Sequence, residues 1–207
     1  MATSLLVAMV FCAVIDWWAR WRHRESVEVV SKPLTTVLVI ALALVAGADT
    51  VQTVIAVVAL LLCLVGDVVL MPVFDNFVLG LGSFLLGHVA FVALFIRYGL
   101  DVWWMGAFAV GLTVLLVATA GRRIIAGAGR HHPALRLPVG AYLAVISAMT
   151  VVGWSTGRWL VVAGTALFVT SDSILGWARF VASQAWMSVT IMITYHGAIA
   201  LLALSLW

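Results

Sequence analysis

Long apolar runs alternate with short polar breaks along the whole sequence. Apolar windows fall at about residues 4–19, 33–48, 51–71, 77–96, 102–121, 136–153, 158–177 and 184–205, of which the first two are short. A membrane-spanning helix needs about 20 largely apolar residues. The pattern therefore predicts an all-α polytopic membrane protein. We expect eight transmembrane helices in one bundle, with residues 1–207 forming a single integral-membrane domain.

Composition supports a membrane protein. Hydrophobic residues make up 65% of the chain and charged residues 9%, with a mean hydropathy of +1.22, whereas about 25% of the residues in soluble domains are charged. This excludes an ordinary water-soluble domain. Cys12 and Cys63 lie inside apolar windows, so we expect small core residues and neither disulfides nor thiolate metal sites. Because Arg20 and Arg22 follow the first apolar stretch, the reverse of a cleavable signal, we expect this segment to remain as helix 1.

The net charge of +3 predicts an orientation in the membrane and not a nucleic-acid partner. Nine of the 11 cationic residues fall in or beside the breaks after helices 1, 3, 5 and 7: Arg20, Arg22, Arg24, Lys32, Arg122, Arg123, Arg130, Arg136 and Arg179. The other side has only Arg97 and Arg158. Under the positive-inside rule the odd-numbered connections are cytoplasmic, and both termini are then extracytoplasmic. We expect a multi-pass protein of a bacterial-type cytoplasmic membrane.

Polar side chains interrupt the windows mainly in the cytoplasmic half. From the cytoplasmic surface inward they are Asp16, Lys32, Asp67, Asp172, His88, Tyr195 and His196. At a rise of about 1.5 Å per residue, Asp67 lies roughly 6 Å, Asp172 roughly 9 Å and His88 about 17 Å from that surface. Asp16 and Lys32 are expected near the cytoplasmic mouth. The outer half has no comparable set, so the inner half is where we expect a functional site.

The intramembrane aspartates are the candidate catalytic groups. A charged side chain near the bilayer centre costs about 2.5 to 3.5 kcal/mol on insertion scales, so it normally faces the protein interior or a wet cavity. We therefore expect Asp67, Asp172 and His88 to share a polar site. The competing interpretation is that each makes only a structural hydrogen bond between helices.

The ordered blocks that carry these residues resemble the lysoplasmalogenase-like (YhhN) family of integral membrane proteins. The blocks are Lys32-Pro33-Leu34, Gly66-Asp67 with Leu70, the set Phe77, Gly80, Phe84 and His88, then Phe168 with Ser171-Asp172-Ser173, and Thr194-Tyr195. His196 replaces a second tyrosine that is common in the family. The resemblance extends from Lys32 to about Ala200.

The resemblance implies an eight-helix hydrolase that cleaves the vinyl ether bond of lysoplasmalogens, giving a fatty aldehyde and a glycerophospho-base. Vinyl ether hydrolysis needs a proton donor for the alkene carbon and stabilisation of an oxocarbenium-like cation. Two carboxyls, one protonated and one ionised, suit both needs, as in glycoside hydrolysis. The residues leave open whether Asp67 or Asp172 is the acid, and His88 would orient or activate water.

The predicted substrate contacts complete this interpretation. Lys32 would pair with the lipid phosphate at the mouth, and Tyr195 would hydrogen-bond a carboxylate or a substrate oxygen. Ser171, His196 and Asp16 are the remaining candidates for binding the lysophospholipid. No cofactor or metal is implied, and the oligomeric state stays open.

Three other functions use similar residues. A metal-dependent intramembrane hydrolase would take His88, His196, Asp67 and Asp172 as ligands, although a zinc site would more comfortably have three histidines. An intramembrane aspartyl protease also pairs aspartates, but Leu64 occupies the first glycine position of its Gly-x-Gly-Asp pattern. A proton-coupled transporter or a non-enzymatic lipid-binding protein would use the same buried carboxyls as relays.

Overall fold

The computed structural model describes residues 2–207, which form a bundle of eight helices that are long and apolar enough to cross a membrane. The helices are α1 Ala2–Trp21, α2 Glu25–Leu44, α3 Thr50–Val69, α4 Phe77–Tyr98, α5 Trp103–His131, α6 Arg136–Ser155, α7 Trp159–Phe180 and α8 Ala185–Leu204. No strand occurs within residues 2–207. The all-α, eight-helix architecture predicted from the hydrophobic pattern is confirmed.

Helix α2 begins eight residues earlier than its apolar window, at Glu25 instead of Pro33. Glu25 and Glu28 occupy its first turn, where carboxylates interact favourably with the helix dipole. Glu28 also pairs with Arg20 at the end of α1. Glu28 is buried whereas Glu25 is exposed, and Lys32 follows roughly 10 Å along the helix from its start, buried and not at the surface.

Helix α5 continues ten residues beyond its apolar window. A π-helical turn, Val117–Gly121, joins its apolar part to an amphipathic end, Arg122–His131. Ile124, Gly127 and Ala128 of this end are buried, a spacing that places them on one helical face. The predicted loop at 122–135 is therefore wrong over most of its length. The charged residues on the outer face of this helix lower the mean hydropathy, so an apolar window does not detect it.

Close packing between α3 and α4 places two functional helices side by side. The shared face of Gly80, Ser83 and Gly87 predicts such an approach, and Ser83 Oγ donates a hydrogen bond of 2.6 Å to the Leu62 carbonyl. On α3, a Cβ built at Gly66 would lie 2.5 Å from the Phe84 ring. Only glycine therefore lets that ring lie beside the backbone that carries Asp67.

The interior of the bundle changes character along its length. Phe91, Phe95 and Phe168 are fully buried and fill one half with aromatic packing. The half nearer the odd-numbered connections contains the buried polar side chains Lys32 and Asp67. Lys32 and Asp67 are thus brought together in that half of the bundle.

Candidate active site

Asp67, fully buried near the end of α3, is held by side chains from two other helices. Its Oδ2 accepts hydrogen bonds of 2.7 Å from Thr36 Oγ1 on α2 and 2.7 Å from the Tyr195 hydroxyl on α8. Lys32 Nζ lies 3.3 Å from Oδ1 and 3.5 Å from the Asp67 carbonyl oxygen. The carboxylate therefore has a cation on one oxygen and two hydroxyl donors on the other.

Asp172 on α7 has a different environment. The Tyr142 hydroxyl of α6 donates a short hydrogen bond to Asp172 Oδ2. His88 Nε2 on α4 lies 3.7 Å from the same oxygen, beyond hydrogen-bonding distance. Within residues 2–207, Asp172 has no Lys or Arg at ion-pair distance.

The two aspartates line one cavity. Arg20, Lys32, Ser171 and Tyr195 are its other hydrogen-bonding residues, and residues such as Leu70, Phe84 and Ile191 complete the wall. The sequence predicted that Asp67 and Asp172 share a site, and the structure brings them into one. We call this space the polar cavity.

His88 is buried directly behind Asp172. Its ring packs edge-on against Phe168, with ring centres 4.6 Å apart, and against Tyr142 at 5.3 Å. Neither ring nitrogen has a hydrogen-bond partner among residues 2–207. An unpaired buried polar group is costly, so Nε2, 3.7 Å from Asp172 Oδ2, is a hydrogen-bonding group that remains available beside the carboxyl.

The remaining predicted contacts lie at three different places. Ser171 lines the polar cavity, and its Oγ donates to the Ile191 carbonyl at 3.1 Å. His196 Nδ1 instead accepts a hydrogen bond of 3.1 Å from Trp17 Nε1. Asp16 is buried on α1 and accepts a hydrogen bond of 3.0 Å from Ser31 Oγ. His196 and Asp16 thus surround the Lys32 end of the site without joining the two carboxyls.

Lys32 does not lie at the mouth, as its position next to a predicted loop suggested. Its residue is 4% exposed, and its ammonium group faces Asp67. The cation nearer the surface is Arg20, which lines both the polar cavity and an outer cleft of about 560 Å³. Sequence reasoning counted Arg20 only as a topology signal.

A second, apolar space adjoins the polar cavity. This apolar chamber is lined by residues of α4 to α7 and by Leu70, just beyond the end of α3. It shares four wall residues with the polar cavity: Leu70, Phe84, Asp172 and Leu175. Asp172 and Tyr142 are the polar residues in its otherwise hydrocarbon and aromatic lining. Tyr142 was missed by sequence reasoning, because a tyrosine inside an apolar window gives no signal of where its hydroxyl points.

The arrangement is that of a polytopic membrane protein with two carboxyls on one polar cavity, one of which also lines an apolar space. The model of the YhhN family matches residues 27–206, and the chain belongs to that family. It is 30% identical over 145 residues to lysoplasmalogenase TMEM86B of Homo sapiens, a match covering 68% of this chain and 61% of the human protein. The match thus spans less than two thirds of that relative's length. No solved structure matches this chain.

Proposed function

We propose that this protein is a lysoplasmalogenase-like hydrolase that cleaves the vinyl ether bond of an alkenyl lysophospholipid. The observation that carries the proposal is the position of Asp172 at the junction of the polar cavity and the apolar chamber. A lysoplasmalogen has the same division, with a polar glycerophosphate on one side of the vinyl ether and a hydrocarbon chain on the other. The similarity to a protein named lysoplasmalogenase supports the same substrate class.

The proposed binding mode follows from the linings of the two spaces. The phosphate lies towards the outer cleft, beside Arg20, and the glycerol lies in the polar cavity near Lys32 and Ser171. The alkenyl chain extends into the apolar chamber, where burial of each methylene contributes about 0.8 kcal/mol. The vinyl ether then lies between the chain and the glycerol, beside Asp172.

The different environments of the two carboxyls suggest how they divide the chemistry. Asp67 faces the Lys32 ammonium group and two hydroxyl donors, which favour its ionised form. Asp172 faces an apolar wall without a cation, and its Oδ1 is left to hold a proton. We therefore assign Asp172 as the acid, and Asp67 as the carboxylate that stabilises positive charge.

The reaction consumes one water molecule. Asp172 donates its proton to the alkene carbon remote from the ether oxygen, which gives an oxocarbenium ion. Water, oriented by His88 and deprotonated by a carboxylate, attacks the carbon bonded to oxygen. The resulting hemiacetal loses its hydroxyl proton and breaks its bond to the glycerol oxygen, and that oxygen takes up a proton and leaves as the alcohol. The products are a fatty aldehyde and the glycerophospho-base, and Asp172 regains its proton.

The test is incubation of the purified protein with matched alkenyl, alkyl and acyl lysophospholipids, with free aldehyde and free fatty acid both measured. We expect aldehyde from the alkenyl lipid alone, because alkyl ethers and esters lack the carbon that accepts the proton. Fatty acid from the acyl lipid would show a lysophospholipase instead. The absence of aldehyde from folded protein would overturn the proposal.

The buried Lys32–Asp67 ion pair between α2 and α3 also fits the alternative of proton-coupled transport or non-enzymatic lipid binding. That alternative predicts lipid binding or transfer across vesicles without aldehyde. The metal-dependent alternative has less support, because no three His, Cys, Asp or Glu side chains of residues 2–207 are arranged to hold a metal ion.

A further inference from the structure

The apolar chamber ends at an aromatic floor. Phe77 of α4 and Phe180 of α7 meet edge to face there, with ring centres 5.3 Å apart at 88°. Behind them, the Arg179 guanidinium lies 5.5 Å from the centre of the Phe77 ring and 3.5 Å from an Asp75 carboxylate oxygen. The open cleft beyond is lined by Asp75, Asn76 and Arg179. A hydrocarbon chain gains nothing from entering that charged space, so the chamber has a finite apolar length.

Gly176 and Ile124 face each other in the wall of this chamber. Gly176 lies one turn beyond Asp172 on α7, roughly 6 Å along the helix, on the same face. Ile124 belongs to the amphipathic end of α5. A Cβ built at Gly176 would lie 3.2 Å from Ile124 Cγ2 and 3.3 Å from its Cδ1. A side chain at position 176 must therefore displace Ile124 or occupy the chamber.

We propose that the apolar chamber selects the substrate by hydrocarbon chain length, with the Gly176–Ile124 contact setting its width and the Phe77–Phe180 pair its floor. This inference rests on the proposed function, which supplies an alkenyl chain anchored beside Asp172. The anchored end fixes where the chain starts, and the floor fixes where it must stop. Chains that reach past Gly176 depend on the space that the missing side chain leaves.

Two opposite changes test the width of the chamber. Each methylene excluded from an apolar site lowers binding about fourfold. We expect Gly176→Ala to lower the ratio of kcat/KM for an octenyl over a butenyl lysolipid about fourfold, and Gly176→Val to lower it at least tenfold. Ile124→Ala widens the chamber at the same place and should raise the same ratio of kcat/KM, for the octenyl over the butenyl lysolipid.

Gly82→Val is the matched control. Gly82 is an exposed helical glycine of α4 with no atom within 4 Å of a built Cβ. The Gly82→Val variant introduces the same helix-weakening β-branched side chain without touching the chamber. We therefore expect its ratio of kcat/KM for the long over the short lysolipid to be unchanged. Equal losses for both chain lengths in Gly176→Val would overturn the proposal, because they would show a folding defect and not selection.

Binding of non-cleavable alkyl-ether lysolipids of matched lengths separates this inference from the proposed function. The ratio of Kd values should shift in the same direction as the kcat/KM ratio, whether or not aldehyde is formed. If the Gly176 and Ile124 variants form aldehyde with an unchanged chain preference, the proposed chain-length selection is wrong and the proposed hydrolase activity stands. If the Kd ratio shifts in the variants but the wild-type protein forms no aldehyde, the proposed hydrolase activity is wrong and the proposed chain-length selection stands.

Discussion

The two aspartates can be tested by changes that keep their shape. We expect Asp67→Asn and Asp172→Asn each to lower turnover at least about a hundredfold, the lower range for a general acid or base. Asparagine retains part of the hydrogen bonding to Tyr195 or Tyr142, so expression and mobility in detergent should stay near wild type. Turnover is measured as aldehyde released. A variant that keeps more than about a third of the wild-type rate would show that its aspartate is structural.

Lys32 and Arg20 are expected to affect different kinetic constants. Lys32 touches Asp67, so Lys32→Gln should lower kcat, while Lys32→Arg retains the positive charge and should recover part of it. Arg20 lines the outer cleft, so Arg20→Gln should raise KM about tenfold, in the range of a charged hydrogen bond. The KM penalty of Arg20→Gln should disappear for an alkenylglycerol without phosphate. An equal rise in KM for the lysolipid and for the alkenylglycerol would contradict the proposed position of the phosphate.

Tyr142 is a positioning residue, because its hydroxyl reaches Asp172 and orients that carboxyl. Tyr142→Phe should lower kcat about tenfold or more, with little change in KM, because it removes a hydrogen bond to the carboxylate that Asp172 becomes as it gives up its proton. Tyr98→Phe is the control, since its hydroxyl bonds Ser205 at the other end of the bundle. A rise in KM without a fall in kcat would contradict the orienting role.

Hydropathy reveals some of these residues and hides others. Asp67 and Asp172 are visible because a carboxyl is costly in an apolar window, and the family resemblance adds Tyr195. Tyr142 is hidden because an aromatic ring fits the same window whether or not its hydroxyl is used. The sequence does not reveal Arg20 as a site residue, because a cation at a helix end is first attributed to the orientation of the protein in the membrane.

At the scale of helices, the α3–α4 contact depends on Gly66. A Cβ there would lie 2.5 Å from the Phe84 ring, and overpacking of this kind costs typically 1 to 3 kcal/mol. We expect Gly66→Ala to lower Tm in detergent by several degrees. Gly82→Ala, which meets nothing within 4 Å, should leave Tm unchanged or raise it slightly because alanine favours a helix. Equal Tm values for the two variants would contradict the tight contact.

The number of helices was predictable, but two of their ends were not. Apolar windows predict eight spans because the bilayer core requires a minimum apolar length. They end α5 too early and start α2 too late, because charged turns that pack beside the bundle lower the mean hydropathy. The spacing of Ile124, Gly127 and Ala128 carries the helical repeat that could have extended α5. That extension matters, since Ile124 lines the apolar chamber.

At the scale of the molecule, both clefts open at the same end of the bundle. The outer cleft beside Arg20 is lined by the α1–α2 and α3–α4 connections and by the first turn of α8, including His23, Pro72 and Ser188. The cleft behind the chamber floor is lined by Asp75, His131 and other residues near the odd-numbered connections. This is the end that carries most of the cationic residues. The lysolipid phosphate and the cations that attract it would therefore lie on one side of the membrane.

The positive-inside rule places that end in the cytoplasm, which makes the orientation testable. A reporter that is active only in the cytoplasm should be silent when fused after Trp207 and active when fused after Leu135, between α5 and α6. The second fusion controls for expression, because it uses the same chain truncated after five helices. Activity at Trp207 with silence at Leu135 would reverse the orientation. The site would keep its geometry, but its substrate would then have to come from the outer leaflet, and a lysolipid supplied from outside intact cells would be cleaved without first crossing the membrane.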